Sequence, residues 1–270
     1  LVNSDATAVL TVNSVIADNG AVVGVATGGA GKVVLAATNT YTGASVLNAA
    51  VTEFSGVSQT RSTISGSGTL LKTNGASTLT LSGTNTYTGP TNVNAGILKL
   101  GSAAGLGSSS LVTVASGATL DLAGLAGGRP TSISGTGVGS VGAIYNSSTS
   151  AGASIGPVTL AGNASVSSAV TGAADQNKAV GFGTLTLGGN KLTISAGTFS
   201  IGIRDITSGD IDINNGATLY SVSSGAQTSA SGTITINAGG QMDTRDTDNT
   251  AMTRSEEHTS ELQSLACISY

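Results

Sequence analysis

Two clusters of charged side chains in the last quarter of the chain have the residue types that chemistry would need. Their members are Arg204, Asp205, Asp210 and Asp212, then Asp243, Arg245, Asp246 and Asp248. A strand would place Asp210 and Asp212 on one outer face, as paired carboxylates for calcium binding or acid–base work require. No further ligand or base lies nearby. We therefore interpret the first cluster as outward polar residues of a strand and the second as a loop.

The segment 254–270, RSEEHTSELQSLACISY, differs abruptly in composition from the rest of the chain. It contains the only histidine, His258, the only cysteine, Cys267, and every glutamate except Glu53. It resembles the conceptual translation of a sequencing adapter, with 254–264 and 268–270 as the two fixed parts. We therefore predict that 254–270 is an artefactual tail and that 1–253 is the protein segment.

Without that tail, the chain offers little catalytic chemistry. Nine basic residues then face eleven acidic ones, and so weak a net charge argues against nucleic acid as a partner. No thiol or imidazole remains, and the sequence contains no GGxGxD calcium nonapeptide, Gly-x-Ser-x-Gly elbow or Walker loop. We predict no catalytic, cofactor-binding or metal-binding residues, no cofactor and no enzymatic activity.

The composition favours an all-β fold. The chain has 40 Gly, 3 Pro, no Trp and 3% aromatic residues, with a hydrophobic fraction of 39% that is mostly aliphatic. Helix formers are few, whereas turn formers and β-branched residues are abundant. A mean hydropathy of +0.25 and alternating apolar residues argue against disorder.

Internal repeats are the clearest pattern in the sequence. The hexapeptide TNTYTG occurs at 38–43 and again at 84–89. Alternating apolar pairs also recur at a shorter and nearly constant spacing, which separates Leu98 from Leu120 and Ile211 from Ile234. Periods of about 20 to 25 residues are typical of solenoids, in which each period forms one coil.

Such coils would stack parallel strands about 4.8 Å apart, with Val, Leu and Ile inward and Thr and Ser outward. Residues 1–253 would make roughly eleven coils and a rod on the order of 50 Å long. The predicted corners are Gly75, Gly96, Gly117, Gly216 and Gly239. A β-sandwich or propeller is the alternative. The lack of Trp and the scarcity of Asn-Gly hairpin dipeptides, at 19–20, 74–75 and 215–216 only, disfavour it.

The two tyrosines of the hexapeptides have two possible roles. Tyr41 and Tyr87 could form a surface aromatic ladder that stacks on sugars. We favour a structural role, in which each ring covers a corner of its coil and the hydroxyl contacts water. Asn39 and Asn85 are expected to stack as a ladder that stabilises the turns.

The stretch 65–124 closely resembles the autotransporter-associated β-strand repeat of bacterial surface proteins. The resemblance rests on GASTLTLSG at 75–83, NTYTG at 85–89 and VNAGIL at 93–98. A weaker copy covers 27–51, and 156–164 is similar to strands of such passengers. The resemblance is strongest over 27–124, and the irregular stretch 131–178 matches least.

This resemblance implies a right-handed parallel β-helix (β-solenoid), here a fragment without caps. It implies an autotransporter passenger that crosses the outer membrane through a C-terminal β-barrel translocator, which this fragment does not contain. The translocator would belong to the same protein or to a separate partner. The display site would be the bacterial cell surface, or the passenger would be secreted.

The expected function is a non-catalytic structural stalk or adhesin segment. Its expected partners are host or matrix glycans or proteins, or further copies of itself, and not nucleic acid. The alternative is a polysaccharide-cleaving, pectate-lyase-like β-helix enzyme with its site on the face of Asp205 to Asp212.

Overall fold

A computed structural model describes residues 1–170, 178–201, 209–221 and 232–244. Strands joined by turns predominate in these residues, and Val138–Ser140 forms a short 3-10 turn. The strands of the first half are β1 (Val9–Val12), β2 (Val25–Leu35), β3 (Ser45–Phe54), β4 (Gln59–Arg61), β5 (Ile64–Ser65), β6 (Thr69–Lys72), β7 (Thr78–Leu81), β8 (Thr91–Val93), β9 (Gly96–Leu100), β10 (Val112–Val114) and β11 (Ala118–Asp121). Those of the second half are β12 (Thr131–Gly135), β13 (Ile144–Asn146), β14 (Ala153–Ile155), β15 (Val158–Ser168), β16 (Val180–Phe182), β17 (Leu185–Thr186), β18 (Lys191–Ile201), β19 (Asp210–Ile213), β20 (Ala217–Ser221), β21 (Ile234–Ile236) and β22 (Gln241–Thr244). Within the described ranges, no helix is long and apolar enough to cross a membrane.

The strands pair in parallel and wind into a three-sided β-solenoid of about ten turns. The first face contains β1, the second halves of β2 and β3, β6, β8, β10, β12, the first half of β15, and β17. The second face contains β4, β7, β9, β11, β13, the second half of β15, the first half of β18, β19 and β21. The third face contains the first halves of β2 and β3, then β5, β14, β16, the second half of β18, β20 and β22. The prediction of an all-β, parallel β-solenoid is confirmed.

The core is a set of aliphatic rows that run along the axis. Because side chains alternate across a strand, every second residue points inward and meets its counterpart in the coils on either side. On the second face, this row is Leu79, Leu98, Leu120, Ile144, Val166, Ile194 and Ile213, all buried. The spacings read from the sequence are confirmed, since Leu98 pairs with Leu120 and Ile211 with Ile234. Full burial of each such side chain contributes about 1.5–3 kcal/mol.

Coils differ in length because their corners differ, while the strand ladder continues. On the first face, Thr52 is in register with Leu70 of the next coil, whereas Thr131 is in register with the more distant Val158. The longer coil includes the 3-10 turn Val138–Ser140. In the described part of 131–178, the irregularity therefore lies in longer corners between strands.

Most of the predicted glycine corners are confirmed. Gly96, Gly117, Gly216 and Gly239 have φ between 76° and 83°, a region that L side chains rarely adopt. Gly75 also lies in a turn, as predicted, but without the positive φ that was the reason for the prediction.

The two hexapeptides lie on different faces of the solenoid. The first follows β2 on the first face and lies below β4, so it occupies the second face, where Arg61 contacts the carbonyls of Asn39 and Tyr41. The second follows β7 on the second face and lies above β5, on the third face, where Thr86 N donates to Ile64 O at 2.8 Å. The offset between the two copies therefore spans two coils and one additional face.

Candidate functional site

An interruption of the apolar core lies where the first hexapeptide meets β4. On the second face, Gln59 and Arg61 are in register with Leu79 and Leu81 of the next coil. They thus point inward at positions that leucine occupies elsewhere. Their exposed fractions are only 8% and 3%. A buried amide and a buried guanidinium are costly unless polar partners surround them.

Arg61 obtains its partners from the coil below. Its Nη1 donates to Tyr41 O at 3.1 Å and its Nη2 to Asn39 O at 2.6 Å, while its Cζ lies 4.0 Å from the centre of the Tyr41 ring. Carbonyl dipoles and the face of an aromatic ring both stabilise a guanidinium cation. The first hexapeptide therefore packs against the Arg61 guanidinium and supplies its hydrogen-bond acceptors.

The guanidinium occupies the place of the usual ladder bonds between these coils. β4 pairs only with β7 above it, and no main-chain hydrogen bond of the described residues joins 38–42 to 58–62. Besides the two Arg61 bonds, Ser62 Oγ donates to Thr42 O at 3.2 Å. On the second face these two coils are therefore held by side chains, whereas the β2–β3 and β3–β5 ladders join them on the other two faces.

A cleft of about 420 Å³ lies at this junction, lined by residues 38–42 and 58–62. We call it the Arg61 cleft. Gln59 Oε1 and Arg61 Nε are buried without a hydrogen-bond partner in the described structure. These two atoms have almost no exposed surface, so the exposed lining of the cleft consists of Thr and Ser hydroxyls, at residues 40, 42, 58, 60 and 62. Such groups can bind a hydroxylated ligand or ordered water.

The prediction of a wet tyrosine hydroxyl was wrong, and a sugar-stacking ladder does not form. Tyr41 and Tyr87 are 2% and 0% exposed, and they lie on different faces. The Tyr41 hydroxyl bonds to Ser45 Oγ at 2.8 Å and the Tyr87 hydroxyl to Thr91 Oγ1 at 2.9 Å. Burial raises the pKa of Tyr87 to about 12. Each ring is a core residue whose hydroxyl has an internal partner.

Asn39 and Asn85 stabilise the hexapeptide turns, but they do not stack on each other as predicted. Asn39 Oδ1 accepts from Ile16 N at 2.8 Å, and Asn85 Oδ1 accepts from Ile64 N at 2.7 Å. Asn85 Nδ2 also donates to Gly105 O at 2.6 Å. Each amide therefore bonds to the main chain of a neighbouring coil, because the two hexapeptides are on different faces.

Asp210 and Asp212 lie on the same outer side of β19, as predicted, but their carboxylates are bonded in opposite directions. Asp210 Oδ1 accepts from the hydroxyl and main-chain N of Thr233 in the following coil, at 2.6 and 3.0 Å. Asp212 Oδ2 pairs with Lys191 Nζ in the preceding coil at 2.9 Å. The Thr233 hydroxyl bond holds the pKa of Asp210 below its ordinary value. Both carboxylates tie coils together.

The remaining predicted charged residues lie mostly outside the described ranges. This applies to Arg204, Asp205, Arg245, Asp246, Asp248, His258 and Cys267. Asp243 belongs to β22. Within the described ranges, no group of three His, Cys, Asp or Glu residues could hold a metal ion. The boundary at residue 254 stays a prediction.

Sequence reasoning missed the buried polar residues of the coil that contains β4 and β6. Lys72 follows Leu70 in the inward phase of β6, is 1% exposed, and donates to Asn74 O at 2.6 Å and Ala95 O at 3.2 Å. Burial lowers the pKa of Lys72 to about 8. The alternation of Gln59-x-Arg61 and Leu70-x-Lys72 was a signal that could have revealed them.

Comparison with known families agrees with the repeats. Residues 28–51 and 71–100 match the model of the passenger-associated-transport-repeat, and these two segments contain both hexapeptides. The chain therefore carries repeats of the kind found in autotransporter passengers, as the sequence predicted. No curated protein and no solved structure matches the chain. The repeats and the β-solenoid together fit an autotransporter passenger.

Proposed function

We propose that the chain is a non-catalytic spacer of an autotransporter passenger, displayed at the bacterial surface or secreted. The observation that carries this proposal is the use of outer charged residues as ties between coils. Lys32 pairs with Glu53, Lys99 with Asp121 at 3.1 Å, and Lys191 with Asp212 at 2.9 Å. Each pair links one coil to the next. Charges paired in this way join neighbouring coils of a rod, as a spacer requires.

A turnover assay tests the non-catalytic part of the proposal. The full chain is incubated with acidic and neutral polysaccharides, and the products are measured beside the Asp210→Ala variant. Asp5→Ala is the matched control, because Asp5 also accepts hydrogen bonds from a threonine in an exposed turn, at 2.8 and 2.9 Å. We expect no turnover by any of the three proteins. Turnover that is lost only in Asp210→Ala would establish the polysaccharide-cleaving alternative.

Adhesion to glycans is a second candidate function, and the Arg61 cleft is the observation that favours it. The exposed hydroxyls of Thr40, Thr60 and Ser62 line it and could bond to sugar hydroxyls. Thr60 points outward from β4, so Thr60→Val would remove one of these hydroxyls and should weaken glycan binding without loss of fold. Gln241→Leu, at an exposed position of β22, is the control. Binding that is equal in both variants would exclude the cleft as the adhesive site.

A further inference from the structure

The three Asn-Gly dipeptides of the chain differ in how their reacting atoms are held. In such a dipeptide, the glycine main-chain N can attack the asparagine Cγ. A C–N bond forms, the side-chain amide leaves as ammonia, and a cyclic imide results. Water then opens the imide at either carbonyl, giving aspartate or isoaspartate. The reaction needs a free asparagine side chain and a free glycine N–H, and the missing Cβ of glycine leaves room for the approach.

Two of the three dipeptides are restrained by hydrogen bonds. Asn74 Nδ2 donates to Ser55 O at 3.0 Å, and its Oδ1 accepts from Ala76 N at 3.1 Å, so the amide is held at both ends. At the third dipeptide in the sequence, the nucleophile is engaged, because Gly216 N donates to Gly239 O at 3.1 Å. Attack at either site first requires the loss of existing bonds.

Asn19-Gly20 has neither restraint. Both residues are exposed. Across the described ranges, neither the Asn19 side chain nor Gly20 N takes part in a hydrogen bond. A Cβ at Gly20 would meet no atom within 4 Å. We propose that Asn19 is a site of spontaneous deamidation and isomerisation, selected from the three dipeptides by the fold.

The position of Asn19 gives this modification a structural consequence. The neighbouring Asp18 joins its turn to the first hexapeptide, since Oδ1 accepts from Val23 N at 2.8 Å and from Thr42 N at 3.2 Å, while Oδ2 accepts from Thr42 Oγ1 at 2.6 Å. Conversion of Asn19 adds a negative charge beside this carboxylate. The isoaspartate product also lengthens the main chain by one methylene group. The tie between the turn and the hexapeptide weakens as the protein ages.

The experiment follows all three sites in one sample of the full chain. The protein is incubated at physiological temperature in mildly alkaline buffer, and conversion at each site is measured by tandem mass spectrometry and enzymatic isoaspartate labelling. We expect Asn19 to convert on the order of tenfold faster than Asn74 or Asn215, the factor that breaking one or two hydrogen bonds imposes. Similar rates at the three sites, or a faster rate at Asn74 or Asn215, would overturn the proposal.

A denatured sample and a variant serve as controls. In denaturant, the three rates should converge, because the restraints on Asn74 and Gly216 are lost; a difference that persists there would assign the effect to local sequence and contradict the proposal. Asn19→Gln should prevent conversion at this site. In aged protein, the amides of Val23 and Thr42 should lose hydrogen-exchange protection in the unsubstituted chain but keep it in Asn19→Gln. Equal loss in both would refute the structural consequence.

Discussion

Lys72 lies inside the solenoid, in the same inward row as Phe54 below it and Val93 above it. Within the described residues, its partners are two carbonyls rather than a carboxylate. Folding therefore removes an ammonium group from water, and only the dipoles of the two carbonyls offset that cost. Removal of this charge should relieve that cost.

Lys72→Met tests this conclusion through the pH dependence of stability. The folded pKa is about 8 and the unfolded value is about 10.4, so the folded state binds fewer protons between them and stability should rise with pH over that interval. Lys72→Met should remove the rise and increase the free energy of unfolding at pH 7 by about 1–2 kcal/mol, since the gain is offset by the two carbonyls that lose a donor.

Denaturant unfolding at several pH values from 7 to 10 provides the measurement. The upper limit matters because Tyr87 has a raised pKa of about 12, and its ionisation in the unfolded state would lower stability above pH 10. Lys178→Met, at an exposed position, is the control and should leave the pH dependence unchanged. A slope that survives in Lys72→Met would show that another group causes it.

At the scale of single strands, the inward rows determine stability. Leu120 in β11 is 0% exposed and lies between Leu98 and Ile144, whereas Leu111, just before β10, is 41% exposed. Leu120→Ala should lower the free energy of unfolding by about 2–5 kcal/mol through lost transfer energy and a cavity. Leu111→Ala should change it by less than about 1 kcal/mol. Comparable losses, measured by denaturant titration, would mean that the row is not the main stabilising element.

The strands and their registers could be predicted from the sequence, because burial makes apolar residues recur at every second position along a strand and again after one coil in the next strand of the same face. This is how the pairings of Leu98 with Leu120 and of Ile211 with Ile234 were found. The Arg61 cleft could not be predicted in the same way. It depends on a guanidinium that replaces ladder bonds with contacts to two carbonyls of the preceding coil, and propensity does not encode such a contact. The same holds for the burial of Tyr41 and Tyr87, which depends on a hydroxyl partner four residues further along the chain on either face.

In the described part of the molecule, successive coils keep one register on the first face, so whole coils can be removed without a change of register. Thr91, Val112 and Thr131 occupy one register position on the first face, so deletion of residues 92–131 removes two coils and leaves the ladder continuous. The rod should shorten by about 10 Å and keep its β structure. X-ray scattering and circular dichroism of the full chain and the deletion variant would measure both effects.

A deletion that is out of register provides the matched control. Removal of residues 92–102 would join the first face to the middle of a corner, so inward and outward residues would exchange and the fold should be lost. If this variant were as stable as the two-coil deletion, the coil would not be the structural unit of the chain. Association of copies with one another stays a prediction.

The placement of the two hexapeptides has a consequence for how such a chain can grow. A duplicated segment as long as the offset between them spans two coils and one further face, so its second copy begins on a different face from the first. Both copies still fold, because each hexapeptide connects the strand before it to the strand after it on either face. Duplication must therefore preserve a whole number of faces, but it need not preserve a whole number of coils. Successive copies would wind around the rod as a helical stripe, and three steps would bring the same motif back to one side. A lineage can therefore lengthen the rod by unequal recombination and, in the same event, change which side carries a given motif.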